Sequence, residues 1–378
     1  MIALARKTLI HEWRRFVPVV MAVGFSGLML VVQAALVLGI FGTAAIYVEE
    51  SSADIWAGYP GTQSVNYGRQ IGADTEMWLR MNPEVTAVEP YLWVDGDWTA
   101  ERAGSGSMSI YLSGIATHDN ALMFARLLPG ELRKRLLEPG AVIVDSADRE
   151  TLATDEGGHA WINGHRVTVV ALLPGLRGLG GANVLTSLDT ARTIAGTSAH
   201  SGSTYFVAQL HDPARADAVA AQLQQAGTSF GPLQIWTAQE FGNRSRQYWL
   251  LDTGAGTAVL FMALIVCLVG AVITNQSFAA VVANSAREYA TLMALGVSRR
   301  ALAGVVIEQA CLVGGLGMAL SAVASTVLLL LARIYHVPVA MTPSAALGCA
   351  VLVALMALLS CCTAIRNLMR CDPTLLLR

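Results

Sequence analysis

Apolar and polar positions are unevenly spread along this chain. Four stretches lack any Asp, Glu, Lys or Arg: Phe16 to Val48, Thr253 to Ala286, Gln309 to Ala332 and Ile334 to Ile365. A spanning helix needs about 20 predominantly apolar residues to cross about 30 Å of hydrocarbon. The pattern therefore predicts transmembrane helices over 16–47, 252–286, 301–332 and 345–365. A short loop at 333–344 joins the last two, and a tail at 366–378 ends the chain. The first run far exceeds the roughly 7–15 apolar residues of a secretory signal, so it is expected to stay as an anchor. About 30 helical residues reach about 45 Å, enough to project from the bilayer as a stalk. Ahead of it, Ile2, Ala5, Leu9, Trp13 and Phe16 fall at helical spacing, with Lys7, His11, Arg14 and Arg15 largely opposite. Residues 1–15 read as an amphipathic helix on the inner leaflet.

Residues 48–251 carry a different pattern. Glu76 to Met81 and Asn120 to Leu137 read as helices, the second broken near Pro129-Gly130, and Asp212-Pro213 starts a third that runs to Gln225. Ala141 to Asp145, Ala160 to Ala171 and Thr204 to Leu210 read as strands, and Asn163-Gly164 is a hairpin-turn signal. Glu240 to Leu251 reads as a polar helix approaching the second span. The expected fold is a polytopic α-helical membrane protein with four transmembrane helices and a large α+β extracytoplasmic domain inserted between helices 1 and 2.

Composition supports the bilayer as solvent: 54% of residues are hydrophobic, 14% are charged and the mean hydropathy is +0.51. Charge sets the expected orientation, because Lys and Arg gather on the cytoplasmic side. Arg6, Lys7, Arg14 and Arg15 precede helix 1, Arg287, Arg299 and Arg300 lie between helices 2 and 3, and Arg366, Arg370 and Arg378 follow helix 4. Both termini are expected in the cytoplasm. Residues 48–251 hold 22 acids and 14 bases, a net of −8, which disfavours nucleic acid as a partner. All six cysteines lie outside that region, so its stability is expected from an ordinary core.

Candidate chemistry is sparse. A phosphate loop needs Gly-Lys-Ser/Thr, but the two lysines, Lys7 and Lys134, each follow an arginine. No ATP site is expected on this chain. His159 and His165 flank a turn without a third ligand at a recognisable spacing, and Asp145 and Asp148 read as strand-end and turn residues. No metal, cofactor or catalytic residue is expected. Polar groups inside spans are costly, and Gln33, Asn275, Gln276 and Glu308 are those to place. No chain of carboxylates crosses the helices as proton-coupled transport would need. Gly24 and Gly27 on helix 1, Gly254, Gly256 and Gly270 on helix 2, and Gly314 and Gly317 on helix 3 are expected to allow close helix packing.

The segment between helices 2 and 3 is the most specific. In residues 287–300, Arg287 to Leu295 can continue a helix past the membrane, Gly296 can end it and Ser298 can cap the next. Arg299 and Arg300 can hold the turn near anionic headgroups. Tyr289, Leu292, Met293 and Leu295 are more apolar than a solvated loop requires, so a partner or lipid is expected to cover them.

Arg287-Glu288-Tyr289-Ala-Thr-Leu292-Met293-Ala-Leu295-Gly296-Val-Ser298-Arg299-Arg300 resembles the signature after the second helix of FtsX/MacB-type permeases of ABC transporters. Asp372-Pro373 and Pro139 to Asp145 leading to Val170 add to the resemblance, and Ala53 to Gly61 looks most like the DevC exporter branch. The resemblance implies a homodimeric permease in the bacterial inner membrane. It also implies a separate ATPase that binds ATP and Mg and docks on Arg287, Glu288, Tyr289, Leu292, Met293, Leu295, Gly296, Arg299 and Arg300. A periplasmic membrane-fusion adaptor and an outer-membrane channel would complete a tripartite exporter. The cell-division branch, which activates a cell-wall hydrolase, and the lipoprotein-releasing branch are the alternatives within the same family.

Overall fold

The computed structural model describes residues 13–101, 106–197, 202–227, 231–284, 298–335 and 337–370. Its helices are α1 (Trp13–Gly42), α2 (Ile46–Glu49), α3 (Asp74–Arg80), α4 (Gly130–Arg135), α5 (Leu188–Ala195), α6 (Ala216–Ala226), α7 (Ala238–Gln247), α8 (Gly254–Asn284), α9 (Arg299–Ile334) and α10 (Pro343–Arg370). The strands are β1 (Ile55–Gly58), β2 (Val85–Ala100), β3 (Ser107–Ile115), β4 (Ala141–Asp145), β5 (His159–Ile162), β6 (His165–Leu173), β7 (Ala182–Ser187), β8 (Tyr205–Leu210) and β9 (Gln234–Thr237). Two compact units result: an outer unit, Phe41–Gly256, and a helical unit, Met1–Ile40 with Thr257–Arg378.

The outer unit is organised by the 16-residue strand β2. Its second half pairs with β3 from Leu92↔Gly114 to Thr99↔Ser107, and with β5 from Trp98↔Ile162 to Ala100↔Ala160. The ladder continues β3–β7–β4–β6–β5, so six strands close on themselves and leave no free edge. Alternate residues of all six converge: Leu92 and Trp98, Ile110 and Leu112, Val142 and Val144, Ala160 and Ile162, Val167 and Val169, Ala182 and Val184. This is the period of two expected of a strand with one buried face. The first half of β2 pairs with β8, which leads on to β1 and β9 as an antiparallel sheet. Trp78 and Leu79 of α3 and Val219, Ala220 and Leu223 of α6 pack on Ile55, Ala57, Val88, Phe206 and Ala208 from that sheet.

The expected hairpin is present, with β5 and β6 joined by Asn163 (φ 49°) and Gly164 (φ 82°). The helix expected over Asn120 to Leu137 is shortened to α4, and the residues before it turn irregularly, Phe124 taking φ 53°. Ala121 to Phe124 are nevertheless fully buried. Their apolar spacing reports burial, and the backbone is set by a side chain described below.

Among the described residues, four helices are long and apolar enough to cross a membrane: Trp13–Glu49, Gly254–Val281, Ile307–Ile334 and Pro343–Thr363. In the helical unit Phe16, Val19 and Val23 of α1 pack with Phe278 of α8, Ala310 and Val313 of α9, and Val353, Ala357 and Cys361 of α10.

Candidate functional site

Two segments of the outer unit lead into the long helices, and the outer unit binds them together. After α1 ends at Gly42, a 3-10 turn at Thr43–Ala45 and then α2 keep the chain coiling, with right-handed helical angles at Gly42 and Ile46. Ala44, Ala45, Tyr47 and Val48 are buried. The Tyr47 ring meets Phe124 edge-on at 6.3 Å. Its hydroxyl end reaches Gly178, where a Cβ would lie 2.3 Å from that oxygen, so only glycine fits. Asp145 holds the turn that carries Gly178. Its Oδ2 accepts from the backbone N–H of Leu176 (2.6 Å) and Arg177 (2.7 Å), and its Oδ1 from that of Ala147 (2.8 Å). Asp148 beside it is buried, and burial pushes its carboxyl up, partly offset by Arg177.

The second segment is α7, which begins at a Thr237 cap whose hydroxyl accepts from the Glu240 N–H at 3.2 Å. Phe241 stacks on Trp236 at 4.8 Å and lies 5.5 Å from Trp56 and 5.7 Å from Tyr205. Gly242 lies against the first segment at ordinary contact distance, a Cβ there falling 3.7 Å from Ala45 Cβ and 3.8 Å from Val48 Cγ1. Arg246 pairs with Glu49, and Arg126 Nη1 donates to the Glu49 carbonyl at 2.7 Å. The tip of the first long helix and the approach to the second thus share one core.

Beyond α7 the backbone changes character. Tyr248–Asp252 widens into a π-helix, and Thr253 is extended (φ −92°, ψ 143°) before α8 begins. Such breaks are frequent at functional positions. Tyr67, Tyr248 and Trp249 cluster here, with Tyr67 stacked 6.1 Å from Trp249, and Trp249 Nε1 donates to Ser64 Oγ at 3.1 Å.

A buried charge cluster fixes the loop that receives Tyr47. Glu89 Oε2 accepts from the Leu122 N–H at 2.8 Å, and Oε1 lies 2.9 Å from His118 Nε2. Burial pushes the Glu89 carboxyl up, offset in part by the Leu122 N–H and by the His118 and Arg133 charges. Arg133, itself buried, donates to the carbonyls of Ala116 (3.1 Å) and Met123 (2.5 Å). Burial lowers its guanidinium, and Glu89 pulls it back up. These groups hold residues 116–129 irregular but ordered, with Phe124 and Arg126 presented to the stalk tip.

The expected coupling residues Arg287, Glu288, Tyr289, Leu292, Met293, Leu295 and Gly296 lie outside the described residues, and Arg299 and Arg300 open α9. The helix glycines divide into groups. A Cβ at Gly24 would lie 2.8 Å from Leu320 Cδ2, at Gly27 2.6 Å from Ser321 Oγ, and at Gly317 2.7 Å from Val23 Cβ. These three bring α1 and α9 close. Gly270 of α8 faces Ser26, whose hydroxyl donates to its carbonyl at 3.2 Å. Gly314 meets Ala357 at ordinary distance. Gly254 has no atom of the described residues within 4 Å of a Cβ built on it, and Gly256 crowds the Leu250 carbonyl of its own preceding turn, so among the described residues neither brings two helices together. Of the polar span residues, Gln33 Nε2 donates to the Val259 carbonyl at 3.5 Å and Asn275 accepts from Thr363, while Gln276 is exposed and Glu308 half-buried. His159 pairs with Thr168 across the β5–β6 hairpin, and among the described residues no three His, Cys, Asp or Glu side chains gather as metal ligands.

The arrangement is mechanical: two helix ends locked into one aromatic core. A model of the MacB-like periplasmic core domain matches residues 22–226, more than half of the chain, and one of the FtsX-like permease C-terminal region matches 260–373. The chain belongs to the FtsX/MacB family of ABC transporter permeases. It is therefore a non-catalytic membrane subunit with a periplasmic or extracellular domain, and an FtsX-family permease works with a partner ABC ATPase. The chain is similar to three solved structures. The periplasmic region of MacB from Actinobacillus actinomycetemcomitans shares 13% identity over 51% of this chain and 92% of that one, with a TM-score of 0.36. The extracellular domain of the noncanonic ABC-type transporter YknZ from Gram-positive bacteria shares 14% over 49% and 99%, with a TM-score of 0.33. A domain of a permease from Porphyromonas gingivalis shares 13% over 50% and 90%, with a TM-score of 0.32. No curated protein sequence matches.

Proposed function

We propose that this FtsX/MacB permease is a mechanical transmitter. A separate ATPase, carrying ATP and Mg, docks on residues 287–300 in the cytoplasm, and its motion passes along the long helices to a periplasmic domain. The termini are cytoplasmic, the membrane is the bacterial inner membrane and the working unit is a homodimer. The carrying observation is the shared core: Tyr47 and Val48 of α2, which follows α1, pack in one cluster with Phe241 of α7, so a displacement of either helix end must move the domain. Export from the periplasmic side, of the DevC kind with an adaptor and an outer-membrane channel, is the use of this motion that the domain's place in the chain supports best.

The test is reconstitution of the permease with its ATPase in lipid. Leu295→Asp and Gly296→Pro should leave the protein inserted and dimeric but abolish permease-dependent stimulation of ATP hydrolysis. Unchanged stimulation in both variants would remove the coupling role from this segment.

A further inference from the structure

The helical unit holds a groove that packing within the chain leaves unfilled. It is about 230 Å³, lined by Val31 of α1, by Met318, Ser321, Ser325 and Leu329 of α9, and by Cys349 and Val353 of α10 among others. A second hollow of about 190 Å³ continues it, sharing Thr326, Leu329 and Met341 and adding Arg333. From Met318 to Arg333 the lining follows α9 for about 22 Å at its regular rise. That is somewhat more than the roughly 15 Å of one leaflet's hydrocarbon.

Two polar features stand out against this apolar lining. Ser325 is 3% exposed and lines the groove, yet among the described residues its hydroxyl has no hydrogen-bond partner. Neighbouring Thr326 does bond back to the Ala322 carbonyl at 2.8 Å, so Ser325 is set apart from its own helix turn. Among the described residues Arg333 is the one basic side chain lining the groove, and it is exposed. Arg333 follows Thr326 and Ser325 by seven and eight positions, about two turns of α9 at its regular rise. The mouth lies at the end of the helices that leads toward the outer domain. There the 337–341 segment runs against α1, with Ala340 N–H donating to the Ala35 carbonyl at 3.1 Å and Pro338 against Gly39.

We propose that this groove binds one anionic phospholipid from the leaflet on the outer-domain side. The phosphate rests on Arg333, one acyl chain lies along α9 between α1 and α10, and an ester oxygen accepts the Ser325 hydroxyl proton. An apolar chain fills the hollow, an acceptor satisfies the orphan donor, and an anion answers the single cation.

The experiment is native mass spectrometry of the full-length protein in detergent, titrated with phosphatidylglycerol or phosphatidylcholine of the same chain length. Wild type should retain one phosphatidylglycerol in preference to phosphatidylcholine. Arg333→Gln should remove that preference, lowering phosphatidylglycerol affinity about fivefold, the share of one basic residue at a membrane surface. Arg366→Gln, at the other end of α10, should change nothing. Ala350→Phe, which fills the groove, should weaken both lipids, and thermal melting checks that it folds; if it does not, the Arg333 comparison alone decides. Equal retention of the two lipids by wild type, or an unchanged preference in Arg333→Gln, would overturn the proposal. So would displacement of the lipid by millimolar inorganic phosphate, which would mark a free-anion site.

Discussion

In the outer unit Trp56, Trp98 and Trp236 are sealed from solvent, and buried charges such as Glu89 and Arg133 answer one another. In the helical unit Phe261, Leu268 and Leu359 stand more than half exposed, while Ser26, Thr274 and Ser360 are buried with the glycines. Water drives apolar groups inward in the first unit. Lipid offers the second no such drive, so close backbone approach and small polar groups hold it together. The same chain therefore places its weak points differently in its two halves.

The largest effects should come from the buried charges of the outer unit. Arg133→Met strips the Ala116 and Met123 carbonyls of their donor, while His118 stays beside Glu89. It should cost about 1–3 kcal/mol for each carbonyl left unsatisfied, read as a large drop in Tm of the purified full-length protein. Tyr47→Ala should cost about 3 kcal/mol through the cavity it leaves. Tyr47→Phe should cost about 1 kcal/mol or less, because the Trp93 indole lies beside the hydroxyl but, among the described residues, no bond of normal geometry reaches it. A Tm loss in Tyr47→Phe as large as in Tyr47→Ala would show that the phenol oxygen, and not the ring, holds the stalk tip.

Smaller effects are expected in the helical unit. Gly317→Val pushes against Val23 and the backbone of α1 and should cost about 1–3 kcal/mol. Ser26→Ala should cost only about 0.6 kcal/mol, the usual worth of such a bond in a membrane. Reversal of that order would mean that hydroxyl bonds, rather than close approach, hold α1.

The smallest effect is a pH dependence. A carboxyl whose folded pKa is raised binds its proton more tightly in the folded state, so it subtracts stability as pH rises through the unfolded and then the folded value. Relative to Glu89→Gln, wild type should thus lose stability as pH climbs from about 4 through the range just above it. Chemical denaturation of both proteins across that window checks the sign. A gap between them that stays constant with pH would show that Glu89 is not shifted.

The four long helices were legible because each is a run without charge, and the β5–β6 hairpin because Asn163-Gly164 demands left-handed backbone. Strand β2 was not legible: Pro90 and Asp95-Gly96-Asp97 look like breaks, yet Pro90 sits opposite Phe206 and Gly96 opposite Ile110 within one continuous strand. Asn120 to Leu137 misled because helical spacing and irregular burial leave the same apolar pattern, and Glu89, the group that decides between them, lies on a different strand. The stalk junction was hidden for a similar reason. Tyr47 reads as an aromatic at a helix end, and only the fold brings Gly178 and Phe124 to it. The glycines at 24, 27 and 317 could be read as packing residues, whereas Gly254 and Gly256 have the same composition around them and a different role.

The central claim is that the tip of α1 and α7 move as one piece. Cβ atoms at Ala45 and Gly242 would lie 3.7 Å apart, close to the mean for a disulfide. Ala45→Cys with Gly242→Cys can therefore be joined in the reconstituted complex with the ATPase, and permease-stimulated ATP hydrolysis measured with the bridge oxidised and then reduced. The account predicts ready bridging and equal stimulation in both states. Stimulation lost on oxidation and restored on reduction would mean that the two segments must separate in each cycle, and would contradict it.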